Sequence, residues 1–129
     1  MLKQNTRQVH LYTWCNEGLY NALASAYHPP MEVDFLDADC DRLEVDPTFS
    51  AGLPGAIVSA YRKKMQFLRG AHDERDLYAS RGLNFEALQG SRSHQHSIRL
   101  NRQWRLILEM RGKGDDKVVY IAGIENHYD

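Results

Sequence analysis

The stretch from His94 to Met110, HQHSIRLNRQWRLILEM, constrains the fold more than any other part of the chain. Ile98 and Leu100 alternate with Ser97 and Arg99. Beyond Asn101 to Gln103, the residues Trp104, Leu106, Leu108 and Met110 alternate with Arg105, Ile107 and Glu109. Period-two alternation on both sides of a short polar segment is the pattern of a β-hairpin. A three-residue turn centred on Arg102 sets Arg99 and Arg105 directly opposite each other on one face. Like charges so placed destabilise a sheet. Two explanations stay open at this point: a bound polyanion, or two side chains fanning into solvent.

A chain of 129 residues has room for one domain with a modest core. Its 43% hydrophobic and 26% charged content is that of a soluble globular protein. No apolar run approaches the length of a membrane-spanning helix. The apolar patch near the N-terminus is interrupted by Asn16, Glu17 and Asn21 and lacks a clean small-residue cleavage signal, so it does not read as a signal peptide. Cys15 and Cys40 fit free thiols in a reducing cytoplasm, with a single disulfide as the other possibility. No Cys/His spacing matches a zinc site. A cytoplasmic protein with no membrane partner is expected.

The formal charge of -1 conceals an asymmetry. Residues 31–50 carry seven acids (Glu32, Asp34, Asp37, Asp39, Asp41, Glu44, Asp46) against Arg42 alone. Residues 81–113 carry seven bases (Arg81, Arg92, Arg99, Arg102, Arg105, Arg111, Lys113) against Glu86 and Glu109. A basic second half in a neutral chain argues for a local phosphate site rather than charge-driven coating of nucleic acid. The acidic stretch makes a solvated helix or balances the basic face.

His28-Pro29-Pro30 marks a boundary, because the prolines restrict the backbone and donate no amide hydrogen. Residues 1–30 read as an N-terminal extension of unknown role, with a short helix over Glu17–Tyr27, and residues 31–129 as the main domain. Met31 opens a strand. Asp37–Leu43 turns into a short helix with acids at its N-terminal end. A clearer helix runs from Leu53 or Pro54 to Leu68, with Ile57, Ala60, Tyr61, Lys64, Met65 and Leu68 inward and Arg62, Lys63, Gln66 and Arg69 toward water. Asp73–Ala79 adds a turn or two.

The remainder reads as sheet: Leu83–Leu88, His94–Leu100, Trp104–Met110 and Lys117–Ile124, with a polar turn at Gly112–Asp116. The apolar series Ile98, Leu100, Trp104, Leu106, Leu108, Val118, Tyr120, Ala122 and Ile124 is expected to face the core. His94 and His96, two apart, share that face and read first as a partly buried, hydrogen-bonded structural pair; a relocated acid/base group is the alternative, and a metal site lacks a clear third ligand. A strand, two helices and an antiparallel meander predict a compact α+β domain.

Phe85-Glu-Ala-Leu-Gln-Gly90, Ser97-Ile-Arg-Leu-Asn101, Gln103-Trp-Arg105 and Gly123-Ile-Glu-Asn-His-Tyr128 together resemble the HigB branch of the RelE/ParE toxin superfamily, over about residues 31–128. The resemblance implies a RelE/ParE-like fold in which an N-terminal strand and two helices pack on a mainly antiparallel curved sheet with a basic concave surface. It implies a type II toxin acting as a ribosome-dependent messenger-RNA endonuclease. The implied partners are messenger RNA, the ribosome and a cognate antitoxin of helix-turn-helix type. The chemistry needs no metal or organic cofactor.

Metal-independent RNA cleavage requires deprotonation of a 2'-hydroxyl, stabilisation of a pentavalent phosphate and protonation of the leaving 5'-oxygen. A planar, permanently charged guanidinium suits the second task. Arg99 and Arg105 occupy the recurrent arginine positions of the family. Arg81, Gln89, Arg92 and Arg102 are the expected RNA-binding set, although Gln89 stands where several relatives carry lysine. Relatives often close with acid, tyrosine and histidine. Here a gapless match sets Asn126, His127 and Tyr128 on those positions, whereas a one-residue shift sets Glu125 on the acid and His127 on the histidine. His127 is the candidate for proton transfer, Glu125 for its orienter or a base, and Tyr128 for stacking or phosphate orientation. Glu86 is a further possible base where some relatives have histidine nearby. The competing readings are a noncatalytic binding or regulatory protein on the same scaffold, and a DNA gyrase inhibitor.

Overall fold

The structure, a computed structural model, describes residues 30–113 and 116–126. The expected helix over Glu17–Tyr27 and the C-terminal His127 and Tyr128 lie outside the described residues. Strand β1 (Glu32–Phe35) leads to helix α1 (Ala38–Val45), α2 (Gly55–Gly70) and α3 (Glu74–Ala79). After them come β2 (Glu86–Ala87), β3 (Gln95–Arg99), β4 (Trp104–Arg111) and β5 (Val118–Asn126). The five strands form one sheet in the order β1-β5-β4-β3-β2, in which only the β1–β5 pair is parallel. This is the expected α+β architecture, a curved and mainly antiparallel sheet with helices on one face.

Local chemistry starts each helix. The Asp37 carboxylate accepts from the Asp39 amide at 2.8 Å and caps α1, while Asp39 and Asp41 sit in the first turn where the helix dipole favours negative charge. Asp73 caps α3 in the same way, accepting from the Arg75 amide at 2.9 Å. Pro54 immediately precedes α2, which turns Ile57, Val58, Tyr61, Met65 and Leu68 inward.

Arg62 and Arg69 do not face water as expected. Arg62 donates to the carbonyls of Leu43 and Asp46, each at 2.9 Å, and so satisfies acceptors at the end of α1. Arg69 grips the Glu44 carboxylate. Tyr61 completes the α1–α2 junction by donating its hydroxyl to the Cys40 carbonyl at 2.6 Å. Burial pushes the Tyr61 hydroxyl pKa up and raises the Cys40 thiol to about 12, with the nearby charges of Asp37 and Asp39 adding to the latter. Cys40 is thus a buried, protonated thiol with little nucleophilic character.

Two sheet expectations are corrected. The strand over Leu83–Leu88 shrinks to Glu86–Ala87, because a 3₁₀ turn occupies Arg81–Leu83 and Asn84 adopts the left-handed conformation at φ 49°. That conformation cannot continue a ladder. In β5, Ile107 pairs with Gly123 but Leu108 pairs with Ile121, leaving Ala122 as the extra residue of a bulge. A bulge reverses the alternation on its strand. Val119 and Ile121 therefore enter the core in place of Val118 and Tyr120, while Ile124 packs against it as expected. The core itself joins Ile98, Leu106, Leu108, Val119 and Ile121 to the inward residues of the helices.

Candidate functional site

The β3–β4 hairpin closes around Asn101. Its side-chain oxygen accepts from the amides of Gln103 (2.8 Å) and Trp104 (2.9 Å), an Asx turn that holds the loop. The Leu100 amide donates to the Trp104 carbonyl at 2.9 Å. Arg99 and Arg105 are then direct cross-strand partners, as the alternation predicts. Because Leu100 and Trp104 form a hydrogen-bonded pair, alternation makes Arg99/Arg105 a non-hydrogen-bonded pair, the kind in which side chains approach most closely.

Both arginines lie on the sheet face turned away from the helices, since their neighbours Ile98 and Leu106 point into the core. Ser97 and Ile107 are buried and form the floor of this face beside them. Arg99 is exposed and Arg105 half-buried, with Arg105 donating to the Asn101 carbonyl at 3.1 Å. Arg102 occupies the exposed turn. Among the described residues none of these three guanidinium groups has a carboxylate partner. By contrast, Arg42, Arg69, Arg75, Arg92 and Arg111 are each ion-paired. The basic excess of the second half is therefore left unneutralised at the hairpin.

Glu125 continues the same cross-strand row, opposite Arg105 on β5. Its carboxylate is held by Arg92, whose two terminal nitrogens donate at 3.1 and 2.7 Å. That contact raises the Arg92 pKa above its ordinary value. Arg92 Nε donates to Gln95 Oε1 at 2.9 Å, and Gln95 Nε2 donates in turn to Glu109 at 3.2 Å. Hydrogen bonds from Arg111 and then Gln95 hold the Glu109 carboxyl below its usual pKa.

The site residues expected from the sequence thus separate into groups. Arg99, Arg105, Arg92 and Glu125 come together on one face, with Arg102 at its hairpin end. Glu86 joins that face on β2, opposite Ser97. Arg81 and Gln89 are exposed on the connections flanking β2, and among the described residues no side-chain hydrogen bond ties either to the arginine row. His127 and Tyr128 follow Asn126 in the chain and lie outside the described residues. Gln95 and Asn101 escaped the sequence reading as site residues. Only the turn-forming habit of Asn ahead of Arg-Gln gave any signal for the second.

His94 and His96 do not act as a pair on one face. His94 precedes β3 and its ring lies 3.8 Å from the Glu109 carboxylate. His96 lies on the helix side, stacked on Phe85 at 4.7 Å and 8°. Its Nδ1 is buried without a hydrogen-bond partner, contrary to the expected hydrogen-bonded role, and burial pushes its pKa down. Among the described residues no three His, Cys, Asp or Glu side chains converge as a metal site requires. No described helix is long and apolar enough to cross a membrane.

A YoeB/ParE toxin from Agrobacterium tumefaciens superposes with a TM-score of 0.51 at 18% identity, over 76% of this chain and all of the other, a likeness of fold alone. Toxin HigB-1 of Vibrio cholerae is 33% identical over 79 residues, 61% of this chain and 83% of the relative. The family model describing the RelE-like toxin HigB of type II toxin–antitoxin systems matches residues 34–123, which include the second half of β1, all three helices, the arginine pair and the β5 bulge. The chain therefore belongs to the HigB-like family of RelE-type toxins.

Proposed function

We propose that this toxin is a ribosome-dependent messenger-RNA endonuclease, with residues 31–129 as its toxin domain and residues 1–30 as an extension. One observation carries the reading: Arg99 and Arg105 are held directly opposite each other on the sheet face turned away from the helices, with no carboxylate partner among the described residues. Such a pair raises the energy of the empty sheet and gains most when an anion lies between the two groups. A scissile phosphodiester is that anion. Arg99 and Arg105 hold it and stabilise the charge that builds on its equatorial oxygens. Arg102, at the hairpin tip, contacts the neighbouring backbone.

His127 is assigned proton transfer, since imidazole exchanges protons near neutral pH, and Tyr128 base stacking or phosphate orientation. Glu125 is better suited to placing charge than to acting as a base, because its carboxylate is occupied by Arg92. The ribosome positions the messenger and supplies part of the preorganisation, so a small set of side chains suffices. A cognate antitoxin covers the arginine face with an acidic or helical segment.

The test is cleavage of messenger RNA on translating ribosomes by the wild type and by Arg105→Ala. Loss of cleavage in a folded variant supports the reading. Failure of the folded wild type to cleave moves the assignment to a noncatalytic binding protein. Gln89 and Asn126, standing where relatives carry lysine and an acid, favour that second reading.

A further inference from the structure

The fork between Arg92 and Glu125 lies beside the two arginines assigned to the phosphate. Across the β4–β5 ladder the cation opposite Glu125 is Arg105. Its carboxylate oxygens nevertheless accept from Arg92 at 3.1 and 2.7 Å, while Arg105 turns to the Asn101 carbonyl. Arg92 stands in the 3₁₀ turn ahead of β3, and β4 separates β3 from β5. Its side chain must therefore cross the arginine face to reach β5. The bond from its Nε to Gln95 fixes the plane of the guanidinium along the way.

A guanidinium fork makes the same two-point contact with a phosphodiester as with a carboxylate. Arg92 and Glu125 side chains are 43% and 45% exposed, so the pair is solvent-screened and cheap to exchange. We propose that Glu125 is an internal stand-in for a backbone phosphate. It keeps Arg92 extended over the sheet face until RNA displaces it, and Arg92 then becomes a third arginine on the RNA. The released carboxylate is already 45% exposed and is taken up by solvent, which leaves Arg105 to the phosphate. In the resting protein only part of the positive charge of this face is unneutralised, which limits capture of other polyanions. This inference rests on the assignment of the face to RNA.

The experiment is binding of a short single-stranded RNA, 2'-O-methylated throughout so that it cannot be cleaved, measured by anisotropy over a range of salt. The proteins are the wild type, Arg92→Ala, Glu125→Gln, the double variant, Arg99→Ala and Arg105→Ala. Circular dichroism establishes that each is folded. Glu125→Gln is expected to tighten binding several-fold. Arg92→Ala is expected to weaken it and to lower the log–log salt slope by about 0.7, the increment for one phosphate contact on a single strand. The double variant is expected to bind more weakly than Glu125→Gln alone, with the same reduced slope.

A double variant that binds as tightly as Glu125→Gln, with an unchanged slope, overturns the exchange and leaves the fork a static strut. If Arg99→Ala and Arg105→Ala weaken binding while the Arg92 variants do not, the RNA face stands and only the exchange fails. Binding unaffected by Arg99→Ala and Arg105→Ala overturns both.

Discussion

The His96 ring lies parallel to Phe85, 4.7 Å away, with its Nδ1 buried and without a hydrogen-bond partner. A buried polar atom left unpaired costs about 1–3 kcal/mol. His96→Phe retains the stack and removes the orphan nitrogen, and is expected to raise the unfolding free energy by about 1 kcal/mol in urea titrations. The same pair sets a pH dependence. Burial lowers the folded-state pKa of His96 below 6.5. The unfolded chain then binds the proton first, so stability falls as pH drops through about 6.5 and levels off below the folded pKa. Subtracting the His96→Phe curve from the wild-type curve isolates this contribution. Parallel curves between pH 8 and pH 5 would contradict it.

Arg99 and Arg105 predict opposite effects on stability and function. Arg99→Thr relieves a like-charge cross-strand pair and introduces a good strand former. It is expected to stabilise the fold by up to about 0.5 kcal/mol at low salt. The same substitution is expected to lower ribosome-dependent cleavage about a hundredfold. Thermal unfolding and primer-extension mapping of cleavage on one protein batch test both halves.

Arg62 is a structural cation. Removing its bonds to the carbonyls of Leu43 and Asp46 leaves the end of α1 open. Arg62→Ala is expected to destabilise by about 1–3 kcal/mol without altering RNA binding, since Arg62 lies on the helix side of the sheet. Equal loss of RNA affinity at temperatures where the variant is fully folded would contradict that placement.

The β4–β5 turn depends on Gly112. Its φ is 91°, and a Cβ there would stand 2.5 Å from the Asp116 carbonyl oxygen. Gly112→Ala combines backbone strain with a collision against main chain, so a loss of about 2 kcal/mol is expected in chemical denaturation. A neutral result would mean that the turn relaxes freely.

The hairpin was legible in the sequence because both of its determinants are local. Alternation assigns the faces of β3 and β4, and a short polar loop sets the register, so the opposition of Arg99 and Arg105 follows from residues only six apart. The caps Asp37 and Asp73 and the helical period of α2 are local in the same sense. Tertiary structure decided what depends on distant partners. The bulge at Ala122 exchanges Val118 and Tyr120 for Val119 and Ile121 in the core, and it lets Glu125 share a face with Arg105 while Ile121 points inward. Arg92 reaches Glu125 from 33 residues away. Arg62 and Arg69 leave the solvent because α1 presents acceptors beside them. Alternation along one strand specifies which side a residue faces, but which charge meets which is set by the packing of segments far apart in the chain.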